Sequence, residues 1–147
     1  MTPTSFTIRV YGLLIYNNQL MLSRENIQGD IYTKFPGGGL EFGEGILDCL
    51  HREFREEVDI SISNAKHFYT SEQYLESAFH SPPKQVICVY YLVETMEIEK
   101  IKTMDPEQTE ALQKDTDQLL YWCPLDKLKG QKIELPLDKL VIEKLLH

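Results

Sequence analysis

"KFPGGGLEFGEGILDCLHREFREEVDI", residues 34–60, decides the fold. Its first twelve residues hold five glycines, one proline and two glutamates, with Phe35 and Leu40 among them. That is too apolar for a plain linker and too rich in glycine for a helix. From Glu44 to about Val58 the pattern changes: Leu47, Leu50, Phe54 and Val58 fall three and four apart, which predicts one buried face of a helix. Glu53, Glu56 and Glu57 stand at i, i+3 and i+4 on another face.

Like charges at that spacing repel, and each i,i+4 pair costs a helix roughly 0.2–0.5 kcal/mol. Arg52 and Arg55 relieve only part of this. A hard divalent cation reverses the sign, because Mg²⁺ prefers carboxylate oxygens and keeps several waters. The glycines at 37–39 can turn the chain and bring an unobstructed carbonyl to the metal. The helix N-terminus favours phosphate oxygens nearby. Taken alone, three acids on a helix are most often a solvated face and a glycine run is usually a turn. Side by side, at fixed spacing and with an arginine between them, they describe a site for a substrate with at least two phosphates.

Working outward, the alternation of Phe6, Ile8, Val10, Leu14 and Tyr16 predicts a strand over 6–16. "NNQ" at 17–19 is a turn into a second strand at Leu20 and Leu22, giving a hairpin. "NIQGD" at 26–30 is a loop and "IYTKF" a short strand leading into the glycines. Residues 66–76 are extended and aromatic, and "QVICVYYLVE" at 85–94 is a strand buried on both faces. Residues 103–118 are polar and read as a loop with at most one helical turn. A last strand over 119–125 stops at Pro124, and Pro136 opens a helix with Leu137, Leu140, Val141 and Leu145 on its apolar side. No internal repeat or linker interrupts the 147 residues, so a single domain, 1–147, is expected. Strands covered by two helices predict an α/β fold, a mixed β-sheet sandwiched by helices.

There are 23 acids against 15 bases, a formal net charge of -8. That balance disfavours a nucleic-acid partner and makes anionic substrates awkward unless cations accompany them. No apolar run approaches the roughly 20 residues of a membrane span. Cys49, Cys88 and Cys123 are scattered among apolar neighbours, as reduced thiols are, and the first residues lack a signal pattern. Both points suggest the cytoplasm. No CxxC or HxxxH spacing suggests zinc.

The segment resembles the Nudix box. That motif reads Gly, five residues, Glu, seven residues, Arg-Glu, a bulky aliphatic, any residue, Glu-Glu, any residue, Gly, a bulky aliphatic. Gly38, Glu44, Arg52, Glu53, Glu56 and Glu57 stand in register, six of seven fixed letters, and Ile60 fills the last apolar place. Phe54 replaces an aliphatic, which alters packing. Asp59 replaces the final glycine, where the helix ends and a positive φ is expected; Asp tolerates that conformation better than most residues. "YWCPLDKL" at 121–128 is similar to the family's C-terminal strand and turn, while 61–118 match only as a pattern of strands and loops.

The resemblance implies a Nudix-type α/β/α sandwich that hydrolyses a nucleoside diphosphate linked to another group, with Mg²⁺ or Mn²⁺ and water attacking phosphorus. It implies Glu53, Glu56 and Glu57 as metal ligands, with a backbone carbonyl of Gly37 or Gly38, and Gly38 and Gly39 against the substrate. Arg52 holds a glutamate in place, and Glu44 ties loop to helix. The general base is Glu53 or a later acid: Glu97, Glu99, Glu107 or Glu110. Arg9 and Arg24 are candidates for substrate phosphates or for paired surface charges. Phe68, Tyr69, Tyr74 and Phe79 stack on a base or, more often for strand aromatics, fill core positions. His80 reads as a surface loop histidine, Trp122 as core, and His51 points off the acidic face. Family members often pair, so a homodimer is compatible with the resemblance. The rival function is a Nudix-fold ligand sensor without catalysis; such domains usually lose box glutamates, and this one keeps them.

Overall fold

The computed structural model describes residues 2–77 and 79–147. The strands are β1 (Phe6–Tyr16), β2 (Gln19–Ile27), β3 (Asp30–Lys34), β4 (Gly37–Gly39), β5 (Ser63–Thr70), β6 (Gln85–Glu94) and β7 (Gln118–Pro124). The helices are α1 (Ile46–Glu57) and α2 (Pro136–Leu145), with short 3₁₀ turns at Ile98–Lys100, Thr109–Ala111 and Leu125–Gly130. The sheet runs β3-β2-β1-β6-β5, with β4 on β1 and β7 on β2. β1 and β6 are parallel from Phe6↔Gln85 to Leu14↔Val93, and the other pairs are antiparallel, so the sheet is mixed as expected.

Alternation along β1 builds two cores. Val10 and Leu14 join Cys49, Leu50, Phe54 and Val58 under α1. Tyr11 and Leu13, pointing to the other face, join Leu137, Val141 and Ile142 of α2. Asn17 and Asn18 both take positive φ, 50° and 60°, the conformation a two-residue hairpin turn requires. The expected loop at 26–30 is shorter than its sequence suggests, because β2 continues to Ile27 and β3 begins at Asp30. Gln28 and Gly29, both at positive φ, make the turn between them.

The helix begins at Ile46, two residues later than expected, after an extended Gly45 whose N–H donates to Asp48 Oδ2 at 2.8 Å. That start changes the buried face. Leu47 is 47% exposed, contrary to the expectation, and Cys49 is buried in its stead. Leu47 lies in the first turn, whereas the Cys49 thiol faces the carbonyls of Gly38 and Gly39. α1 ends as the sequence predicts, with Asp59 at φ 61°.

Phe54 finds its room at Gly12. A Cβ there would lie 2.3 Å from Phe54 Cε1. Gly12→Ala is therefore expected to destabilise by about 1–3 kcal/mol, as overpacking does, and Phe54→Leu should recover most of that loss. Urea denaturation of the two variants and their combination measures both effects; additive losses would show that the two sites do not share this space.

Candidate active site

The bare backbone of β4 packs beside α1. Gly37 has φ +148°, and a Cβ on it would sit 2.2 Å from the Val10 carbonyl oxygen. At Gly38 a Cβ would lie 2.4 Å from Glu53 Oε1. The Glu53 carboxyl therefore rests directly on glycine backbone. It is held there by Arg52, whose Nη1 donates to Glu53 Oε1 at 2.8 Å.

Arg52 is the hub of the site. Its Nε and Nη2 donate to the two oxygens of Glu44 at 3.0 and 2.6 Å, a bidentate pair. Nη2 also donates to the Gly39 carbonyl at 3.0 Å, and Nη1 to Glu56 Oε2 at 3.3 Å. One guanidinium thus joins the loop, the glycine strand and two helix carboxylates. The Arg52 hydrogen bond, with the Glu41 N–H, holds the Glu44 carboxyl down at about 2. Arg52→Ala is expected to weaken rate or metal affinity by roughly 10–100-fold, the usual loss when a ligand's support is removed. A change below about twofold in a metal-activation curve would mark Arg52 as a surface residue only.

Glu57 lies one helical turn on from Glu53 along α1. Burial pushes its carboxyl up to about 7; Lys34 opposes the rise, and Glu53 and Glu25 add to it. Glu57 Oε2 faces the Gly37 N–H at 3.5 Å. Glu56 is not gathered with them: its side chain is 60% exposed and turned to Arg52. Among the described residues no three His, Cys, Asp or Glu side chains converge tightly enough to cage an ion unaided. The donors that stand nearby suit a hard cation: the carboxylates of Glu53 and Glu57, four residues apart on α1, beside Gly38, whose carbonyl faces the Cys49 thiol at 3.9 Å. These leave positions for water, as Mg²⁺ requires.

Next to this centre opens a largely apolar pocket, lined among others by Arg9, Tyr11, Phe79, His80, Tyr90 and Asp138. Arg9 connects the two. It pairs across the strands with Gly39, and a Cβ on Gly39 would lie 3.5 Å from Arg9 Nη1. Its Nε donates to Tyr11 Oη at 3.1 Å, and the Tyr11 ring stacks on Tyr90 at 5.4 Å. At the α2 end of the pocket Asp138 is 2% exposed. Its Oδ1 accepts from Tyr90 Oη at 2.7 Å, and its buried Oδ2 has no partner among the described residues.

Other candidates lie elsewhere. Arg24 donates to the Pro106 carbonyl, stacks on Tyr121 at 5.2 Å and stands 3.9 Å from Glu107, so it fastens the 103–112 loop to β2. Glu97 accepts from the Ser61 N–H at 2.8 Å and pairs with Lys100 at 3.1 Å. Glu99, Glu107 and Glu110 are exposed. Of the acids considered as general base, Glu53 is the one on α1 with Glu57. Phe79 and His80 line the pocket; Phe68 and Tyr69 pack on the α2-side core, and Tyr74 is exposed. Lys34, Glu25 and Asp138 had no signal in the sequence, because each owes its place to residues far along the chain.

The NUDIX domain family model matches residues 6–144. The chain belongs to the NUDIX family. It is a Nudix hydrolase, and the family's chemistry is the hydrolysis of pyrophosphate bonds in nucleotide derivatives, generally with divalent metals. Solved structures share the fold. A NUDIX hydrolase from Nitrosomonas europaea has a TM-score of 0.70 at 20% identity, covering 98% of this chain and 88% of that one. A MutT NUDIX hydrolase from Burkholderia pseudomallei has 0.70 at 16%, covering 95% and 98%. A mutator MutT protein from Bacillus halodurans has 0.66 at 19%, covering 96% and 82%. Among the described residues, no helix of this Nudix hydrolase is long and apolar enough to cross a membrane.

Proposed function

We infer that this Nudix hydrolase cleaves the pyrophosphate bond of a nucleoside diphosphate derivative, a nucleotide or nucleotide sugar. The observation that carries this is the placement of Arg9. It lines an aromatic pocket together with Phe79, Tyr90 and Asp138, and it pairs across the strands with Gly39, next to the Gly38 backbone on which the Glu53 carboxyl rests. The pocket suits a base or similar planar group with an N–H for Asp138. Arg9 suits a phosphate.

Glu53 and Glu57, with the Gly38 carbonyl, would hold Mg²⁺ or Mn²⁺, and Glu56 would join them by turning from Arg52. Bound there, the ion lowers the pKa of a water and neutralises charge on the bridging oxygen. Glu53 is placed to accept the proton of the water that attacks phosphorus. Arg52 fixes the direction of that carboxylate, and Gly39 leaves room for phosphate oxygens beside Arg9. The family match over residues 6–144 supports a single domain, 1–147. Three buried, unpaired thiols support a reducing, cytoplasmic setting.

A hydrolysis screen over dinucleotides, nucleoside triphosphates, nucleotide sugars and capped RNA, with Mg²⁺ and product masses recorded, tests the proposal. Nucleoside monophosphate among the products, dependent on metal, is the expected result. A metal-dependent thermal shift with nucleotides but no product would replace hydrolysis with ligand sensing.

A further inference from the structure

None of the residues that line the pocket comes from β2 or β3. Yet the part of its wall supplied by the connection between β5 and β6 is fastened there. Phe79, half-buried and part of that wall, donates its N–H to Ser77 Oγ at 3.2 Å within the connection. Its carbonyl accepts from Gln28 Nε2 at 3.0 Å, in the turn between β2 and β3. Its ring meets Tyr32 of β3 edge to face, with 5.0 Å between centres and 85° between planes. Tyr32 is the one aromatic partner of Phe79 among the described residues. The turn itself is anchored: the Gln28 N–H donates to Asp115 Oδ1 at 2.7 Å, and Asn26 Nδ2 to the Leu112 carbonyl at 2.8 Å. A hairpin tied to a distant loop thus brings an aromatic ring against a residue of the pocket wall, from outside the pocket.

A loop serves recognition when a rigid scaffold positions it. A half-buried ring on a connection has other rotamers open to it, and affinity falls by the fraction of time it is out of place. An edge-to-face partner favours one placement. We propose that Tyr32 is a positioning residue for substrate recognition: it holds the Phe79 ring in place as the face on which the base of the substrate stacks. This inference rests on the pocket taking a base, as proposed above. It adds a residue that touches no substrate and acts only through Phe79.

The test uses the full chain as wild type, Tyr32→Ala, Tyr32→Phe, Phe79→Ala and the double variant Tyr32→Ala with Phe79→Ala. Calorimetric titration in Mg²⁺ with AMP, GMP, CMP, UMP and ribose 5-phosphate reads binding. Wild type is expected to bind at least one nucleotide more tightly than ribose 5-phosphate. Phe79→Ala should weaken that nucleotide roughly tenfold, and Tyr32→Ala roughly threefold or more. Tyr32→Phe keeps the ring and should stay within about twofold of wild type. Once Phe79 is gone, Tyr32→Ala should cost nothing further. A ring that only props up the fold would cost as much with Phe79 absent as with it present. Equal losses in the two backgrounds, or binding kept in Tyr32→Ala or in Phe79→Ala, overturn the proposal and leave the base pocket standing. Should Tyr32→Ala not fold, Tyr32→Leu, which fills the space without a ring, takes its place in the same comparisons. If wild type binds no nucleotide better than ribose 5-phosphate, the base pocket falls and the proposal with it.

Discussion

Glu57→Gln is expected to lower metal-dependent hydrolysis by roughly a thousandfold while the chain still folds. The magnitude follows from what a bound ion contributes: several kcal/mol of charge stabilisation in the transition state, at about 1.36 kcal/mol per tenfold. Glutamine keeps the length of the side chain and an oxygen for the Gly37 N–H, so the glycine strand and α1 keep their packing. What it loses is the charge that, with Glu53, makes a pair of hard anionic ligands. Arg52 keeps its bonds to Glu44, Glu53, Glu56 and the Gly39 carbonyl, so the rest of the site stays in place. Nucleotide release measured at saturating Mg²⁺ decides the matter. Turnover within about tenfold of wild type, in a folded variant, would remove Glu57 from the metal site and with it the proposed reaction centre.

The expectation for Glu57 is legible in the sequence because it rests on local spacing. Helical spacing sets Glu53, Glu56 and Glu57 on one turn, and Arg52, just before it, has obvious partners. The same holds for β1, whose alternation fixes which side chains face α1 and which face α2, and for Asp59, whose positive φ follows from a helix ending where a glycine is usual. Three kinds of feature escape such reasoning. β4 is made of three glycines and carries no side-chain period, so it shows itself only through its pairing with Arg9, Val10 and Tyr11. Glu56 shares the acidic face by spacing, yet its longer reach to Arg52 draws it away from Glu57. Lys34 and Asp138 acquire their character from burial by distant strands. Lys34 looks like an ordinary strand-end charge and Asp138 like an acid suited to the first turn of a helix.

Asp138→Asn should reveal the cost of that burial. Burial raises the Asp138 carboxyl from 3.8 to about 6; the Tyr90 hydroxyl, Lys34 and Arg9 act to lower it, and Glu134 to raise it. The cysteine and tyrosine side chains that face it, Cys88 and Tyr11, are themselves pushed up by burial. A folded-state value above the unfolded one means the folded chain holds this proton more tightly. The stability it contributes is complete below about 3.8 and is lost as pH rises through about 6. A shift of about two units corresponds to roughly 3 kcal/mol. Asparagine can still accept from Tyr90 but carries no charge, so the variant should be more stable than wild type by up to that amount at pH 8, with the gap closing near pH 4. Denaturant melts across that range measure it; parallel curves would show that the carboxylate is not disfavoured in the fold. Among the described residues one oxygen of this buried acid meets no partner, and Asp138 lines the pocket that Arg9 and Phe79 share, so a part in substrate recognition is expected of it. The same variant should therefore shift preference among substrates, because an amide in place of the free oxygen presents either a donor or a weaker acceptor to the incoming group. Greater stability with unchanged substrate preference would separate the two effects and leave Asp138 without a part in recognition.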